Sequence, residues 1–297
     1  MREVVFSSRG DETRATVVSR ESVGLTIAAY LRPLADSAFA LLFPADCRIC
    51  REPLLRASRL PVCQDCCDAV VPIEGSLCPV CGERILTFSR GELDADPEPC
   101  GQCRRAAPAY SQAIAYGAFE DALRETIHLL KYDRVLPAAD FLGGKLSATL
   151  LQLPATDSPG WLVVPVPLHA RKLRQRGFNQ SELIARAACK RFPMAVQLNT
   201  KCLVRQRETI PQAGLTRHQR RENIRGAFAV RDATTVRGRD VLLVDDVFTT
   251  GTTISECARV LLRAGAARVY AATVARVLKA APKADRIGTE KQVGEAA

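Results

Sequence analysis

Two groups of residues in this sequence are spaced for chemistry. The first is the run VLLVDDVFTTGTT that starts at Val241. Its four leading apolar residues read as a strand buried on both faces, as a central parallel strand is. Asp245 and Asp246 then emerge at its carboxyl end, the edge at which open α/β sheets bind ligands. Behind them Thr249, Thr250, Gly251, Thr252 and Thr253 lead directly into a helix, so backbone N–H groups, threonine hydroxyls and a helix dipole can converge on a phosphate. Paired carboxylates beside a phosphate cradle suit a ligand that also carries hydroxyls or brings a divalent cation. Neither Gly251 nor the Gly143-Gly144-Lys145 run satisfies a Walker A loop, and no dinucleotide fingerprint is present. Only 51 residues follow Asp246, too few to complete a response-regulator receiver. At a strand end the two acids are expected to be open to solvent and replaceable without loss of the fold.

The second group is cysteine. Nine of the 12 cysteines fall between positions 47 and 103, and they include the pairs Cys47/Cys50, Cys63/Cys66, Cys78/Cys81 and Cys100/Cys103. A two-residue gap lets two thiolates from one tight turn converge on a tetrahedral ion, and the intervals between pairs suit zinc ribbons. Consecutive pairing gives two sites; pairing the first with the third, or filling one site only, satisfies the same spacing. Cys67 could replace Cys66. An iron–sulfur cluster uses the same ligands. Disulfides are disfavoured by the polar N-terminus, which lacks a secretory signal, and a thioredoxin-like redox motif would occur once rather than four times. Cys189, Cys202 and Cys257 read as packing residues.

These groups sit on a chain of 297 residues, 47% hydrophobic and 25% charged, which excludes wholesale disorder. No apolar run is long enough for a transmembrane helix, and a cytoplasmic location is expected. The net charge of +10 is concentrated: residues 168–231 hold fifteen Lys and Arg against three acids, leaving the remainder slightly acidic. That segment points to an anionic partner, polyphosphate or nucleic acid. Residues 1–24 read as disordered and 25–46 as an amphipathic helix, with apolar periodicity over 25–42. Residues 47–105 form the Cys-rich unit, 110–278 an α/β domain and 279–297 a disordered tail. Strands are expected at 113–118, 161–166, 239–244 and 268–274, and helices at 120–132, 140–153, 180–191 and 252–264. This alternation predicts a parallel sheet flanked by helices. Loops are expected after residue 166 and over the basic stretch 201–225.

VLLVDDVFTTGTT closely resembles the 5-phosphoribosyl-1-pyrophosphate (PRPP) motif of type I phosphoribosyltransferases. Three more segments resemble ComF-type proteins: Pro165-Val-Pro-Leu-His169 with Arg174; Arg176-Gly-Phe-Asn-Gln180; and Arg205-Gln-Arg-Glu-Thr209 with Gln212, Leu215, Arg221, Asn223 and Gly226-Ala-Phe228. The resemblance covers roughly residues 40–278. It implies a type I phosphoribosyltransferase fold behind a small double zinc ribbon with structural zinc. Asp245 and Asp246 would hold the ribose hydroxyls, and Thr249, Thr250, Gly251, Thr252 and Thr253 the 5′-phosphate, with Mg²⁺ accompanying PRPP. Arg171, Lys172, Arg174 and Arg176, together with Arg205 and Arg207 of a hood over the site, would stabilise departing pyrophosphate. The activity implied is pentosyl transfer from PRPP to an acceptor that no motif identifies, in the setting of competence and DNA uptake. The alternatives keep the PRPP site as a sensor on a protein that binds single-stranded DNA, or make the ribbons a docking surface for the DNA-uptake machinery. An aromatic content of 5% disfavours extensive base stacking.

Overall fold

The computed structural model describes residues 45–54, 56, 58–85, 98–156, 160–192, 195–210 and 216–278. The helix expected over 25–42, both expected tails, and Gln212 and Leu215 lie outside them. In chain order the elements are α1 (Gln64–Asp68), α2 (Gly101–Arg105), β1 (Gln112–Ala118), α3 (Asp121–Lys131), α4 (Pro137–Leu150), β2 (Trp161–Pro165), α5 (Ala170–Arg176), α6 (Gln180–Cys189) and β3 (Val196–Leu198). There follow β4 (Leu203–Arg205), α7 (Arg217–Ile224), β5 (Phe228–Val230), β6 (Asp240–Phe248), α8 (Thr252–Arg263) and β7 (Arg268–Arg276).

Five strands form one sheet in the order β1-β7-β6-β2-β3, every pairing parallel. Parallel pairing demands crossovers, and the crossovers clad both faces. On one face Ile127, Leu130, Leu142, Leu146 and Ile184 pack against Trp161, Val163, Leu242 and Val244. On the other, Ile254, Cys257 and Leu261 meet Leu162, Val164, Val241 and Leu243. Residues 241–244 are at most 1% exposed, because both faces of β6 are covered. Bidentate bonds from Arg268 to Asp240, 2.9 and 2.7 Å long, tie the starts of β6 and β7 together.

Three expectations are corrected. The loop expected after residue 166 contains α5, about two turns of helix with no buried residue, stopped by Gly177 in the left-handed region at φ 87°. The basic stretch 201–225 is no open excursion. It holds β4, paired antiparallel with β5, and α7, which starts at a Thr216–Gln219 capping box. β6 runs on to Phe248, so the acid pair lies inside the ladder, with Asp245 in register with Thr273.

Gly143 marks the closest approach of α4 to α6. A Cβ there would lie 2.9 Å from both the Ala188 nitrogen and the Ile184 oxygen, backbone atoms that cannot swing aside. Gly143→Ala is expected to cost about 1–3 kcal/mol by overpacking, more than the ~1 kcal/mol it gains in helix propensity. A thermal melt should show a Tm lower by several degrees; an unchanged or higher Tm would refute the tight crossing.

Candidate functional site

The cysteine pairs close consecutively. The Sγ atoms of Cys47, Cys50, Cys63 and Cys66 lie within 4.8 Å of one another, and so do those of Cys78, Cys81, Cys100 and Cys103. The crossed pairing is thereby excluded, and Cys67 stands outside the first set. Each set is prepared for anionic sulfur by backbone donors. Cys63 N–H points at Cys47 Sγ at 3.3 Å, and Cys100 N–H at Cys78 Sγ at 3.2 Å. Burial pushes these two thiols up, yet the N–H donors outweigh it and bring Cys47 down to about 6 and Cys78 down to about 7. Burial and neighbouring sulfurs push Cys66 and Cys103 the other way, so four thiolates need a cation among them. Four sulfurs with peptide N–H donors fit a tetrahedral zinc ion.

The acid pair sits among cations. Two helices of one face, α3 and α6, supply a partner to each acid. Asp246 is 5% exposed and ion-paired with Lys131 at the end of α3. Asp245 accepts a 2.7 Å bond from Ser181 Oγ, at the start of α6, and faces Arg205. The expectation that solvent reaches both acids is therefore corrected for Asp246, which is buried, while Asp245 is half-buried. Desolvation raises Asp245, against the Ser181 bond and the charges of Lys131 and Arg205. Burial brings Lys131 down to about 8 against the pull of Asp245, and Arg176 and Lys172 push it the same way. Lys172 is lowered by desolvation and by Arg176 and Arg205, and Arg176 and Arg205 are themselves lowered by burial. Burial disfavours the charge of all four cations, and neighbouring cations lower the two lysines further; such a cluster beside two carboxylates leaves room for an anion of high charge.

Of the six basic residues expected to be catalytic, Lys172, Arg176 and Arg205 are brought together. Arg207 is occupied elsewhere: its guanidinium donates to the Asn223 and Arg225 carbonyls at 2.8 Å each and holds the end of α7. Arg171 meets Glu208 at 3.4 Å on the surface, and Arg174 stands exposed on α5. Lys131 and Ser181 were missed. Lys131 had one signal: it continues the stripe Leu123, Ile127, Lys131 along the buried side of α3, where a charge needs a partner.

The threonine loop closes the site. Gly251, at φ 71°, is the N-cap of α8 and supplies no side-chain cap of its own, leaving the helix start suited to an anion. Thr250 and Thr252 hydroxyls lie 2.8 Å apart across it. Beside the loop a cleft of about 720 Å³ opens between α2, α7 and α8, lined by Arg221, Arg225, Arg259 and Arg263.

Residues 181–293 match the family model described as phosphoribosyl transferase domain, and residues 38–104 the one described as double zinc ribbon domain. Over 246 residues the chain is 32% identical to "DNA utilization protein YhgH" of Escherichia coli strain K12, covering 80% of this chain and 100% of that one. It is 27% identical to "Competence protein F" of Haemophilus influenzae, over 68% of this chain and 91% of that one. With "Competence protein ComFC" of Bacillus subtilis the identity is 25%, over 72% and 84%.

The cysteine geometry yields a direct test. Cys66→Ser should remove one zinc equivalent, as read by metal analysis of the purified chain, while Cys67→Ser should retain the full complement. Equal zinc contents in the two variants would refute the assignment.

Proposed function

The chain belongs to the ComF family of competence and DNA-utilization proteins, and from that premise we propose that it binds PRPP, with Mg²⁺, between the Thr-Gly loop and the cation ring, in the service of DNA uptake or utilisation. The observation that carries this reading is the placement of Asp245 and Asp246. They stand between a helix start suited to a monophosphate and three cations suited to a diphosphate, the order in which PRPP presents phosphate, diol and diphosphate. Ser181 and Lys131 hold the two carboxylates as acceptors for the ribose hydroxyls. Thr250, Gly251 and Thr252 receive the 5′-phosphate. Lys172, Arg176 and Arg205 face the diphosphate, and Mg²⁺ supplies further neutralisation of its oxygens.

The reaction such a site supports is displacement at ribose C1. A nucleophile forms a bond to C1, the bond to the diphosphate oxygen breaks, and the electron pair leaves with the diphosphate. Charge grows on that leaving group, so cations preorganised around it favour the transition state over the ground state. The pair β4/β5 and helix α7 form the hood that screens the site from water.

Two outcomes test the reading by calorimetry with PRPP–Mg²⁺. Asp245→Asn leaves the Lys131–Asp246 ion pair in place but replaces an anionic acceptor. With a charge-assisted bond contributing about 1.5–3 kcal/mol, PRPP should bind at least tenfold more weakly. If the site were a purely electrostatic anion trap, removing a negative charge would tighten binding instead. Wild-type chain that ignores PRPP yet binds an oligonucleotide in a salt-dependent manner would favour the DNA-binding alternative.

The second outcome concerns pH. Lys131 carries its proton below about 8 and loses it above. Affinity should therefore hold up to about pH 8 and then fall, approaching tenfold per pH unit if the charge is required. Lys131→Met should bind more weakly at pH 7 and lack that fall. An identical pH profile in the variant would remove Lys131 from the site.

A further inference from the structure

The second cysteine cluster is joined to the threonine loop by a buried arginine that the PRPP reading does not use. Arg276 closes β7, is 3% exposed, and stands in register with Phe248 at the end of β6. One Nη donates to the Cys81 carbonyl; the other lies 2.9 Å from Glu83 Oε2 and 3.9 Å from Cys81 Sγ. Nε has no hydrogen-bond partner among the described residues. The guanidinium stacks on the Phe248 ring, its central carbon 4.5 Å from the centroid. The Cζ end of that ring abuts the loop, since a Cβ on Gly251 would sit 2.5 Å from Phe248 Cζ. Tyr110, just after the ribbon, holds the ring edge-on at 6.2 Å. A continuous line of contacts therefore runs from Cys81 through Arg276 and Phe248 to Gly251.

A buried guanidinium is costly unless its charge is met. Glu83 meets part of it, and sulfurs bound to a metal supply more negative charge on the same side. N–H groups aimed at a ligating sulfur orient the ligand and tune the metal, and the partner that donates them is oriented in return. We propose that Arg276 is a positioning residue that couples the second metal centre to the Thr-Gly loop, so that the state of that centre sets the loop's affinity for a phosphate-bearing ligand. Emptying the centre frees Arg276 to shift, Phe248 follows the group stacked on it, and Gly251 loses the surface that holds its left-handed conformation. The identity of the ligand rests on the PRPP reading; the mechanical link does not.

The full chain with zinc bound serves for the test, as wild type, Arg276→Met, Arg276→Lys and Cys100→Ser. Cys100 is a member of the metal set, its Sγ 3.7 Å from Cys81 Sγ, so Cys100→Ser perturbs the centre while the side chains of Arg276, Phe248 and Cys81 stay as in the wild type. Hydrogen exchange of the amides of residues 249–255 should accelerate about tenfold in Arg276→Met and in Cys100→Ser. The amides of α6, on the opposite face of the sheet, should keep the wild-type rate. A chelator should strip one of the two zinc equivalents about tenfold faster from Arg276→Met, and PRPP–Mg²⁺ should bind about tenfold more weakly to it. Arg276→Lys keeps the charge but not the fork, and takes the place of Arg276→Met should that variant fail to fold; it should show the same changes at smaller size. Loop exchange at the wild-type rate in Cys100→Ser, or in whichever Arg276 variant folds, would overturn the coupling. If the wild-type chain fails to bind PRPP, the PRPP reading falls while the exchange and zinc-release measurements still decide the link.

Discussion

A strand covered on both faces can carry carboxylates only where partners meet them, and in β6 Ser181 and Lys131 meet Asp245 and Asp246. Everything polar in the proposed site gathers around this pair. The buried run 241–244 fixes the register of β6 between β2 and β7, which in turn places the amino end of α6, the last residue of α3 and the start of α8 at one edge. Because every strand of the sheet is parallel, all the crossovers deliver their helix starts to that edge. Acids placed two residues earlier would be buried among leucines and valines without partners. Placed beyond Phe248, they would lose contact with both Ser181 and Lys131.

The same constraint explains the excess of positive charge. Two carboxylates half or fully withdrawn from water need partners, and Lys131 and Ser181 supply them. Lys172, Arg176 and Arg205 are not required for that purpose, and each is held where burial works against its charge. A fold that holds three further cations against desolvation, with Arg176 and Arg205 also lowering Lys172, gives up stability at that spot, as preorganised anion sites do. Arg207 shows the contrast. Satisfied by two carbonyls, it belongs to the hood's architecture despite lying two residues from Arg205.

Much of this was readable from residues alone. The run Val241–Val244 reads as a central strand and the Thr-Gly loop as a turn into a helix, and both are found. What escaped reading shares a physical cause. Helices α5 and α7 have almost no apolar stripe, so the 3.6-residue period that betrays a helix is missing; capping and tertiary contact hold them instead. β3 is three residues long, too short to show a period. The length of β6 was underestimated because Asp is poor in strands, yet pairing with β7 carries it through both acids. The spacing of the cysteines allowed two pairings, and only distance chose between them. Lys131 is a long-range fact: its meaning depends on Asp246, 115 residues away, which no local pattern reveals.

The boundary between ribbon and sheet, obvious in composition near residues 105–110, does not exist in the packing. Cys78, Cys81 and Cys103 belong to the same buried cluster as Leu162, Leu243 and Cys257, so the second ribbon is part of the core that clads β6. The first ribbon meets the core more lightly: Cys47 and Val62 form a small cluster with Leu129 of α3, and of the described residues between its ligands only the partly buried Ile49 and Leu60 also reach the main core. A cluster that contributes both metal ligands and strand contacts cannot relax at one without shifting the other, since close-packed interiors transmit displacement rather than absorb it. The cysteines of the second ribbon thus lie within reach of the loop that would hold a phosphate, and the two motifs that looked independent in the sequence share one piece of protein interior.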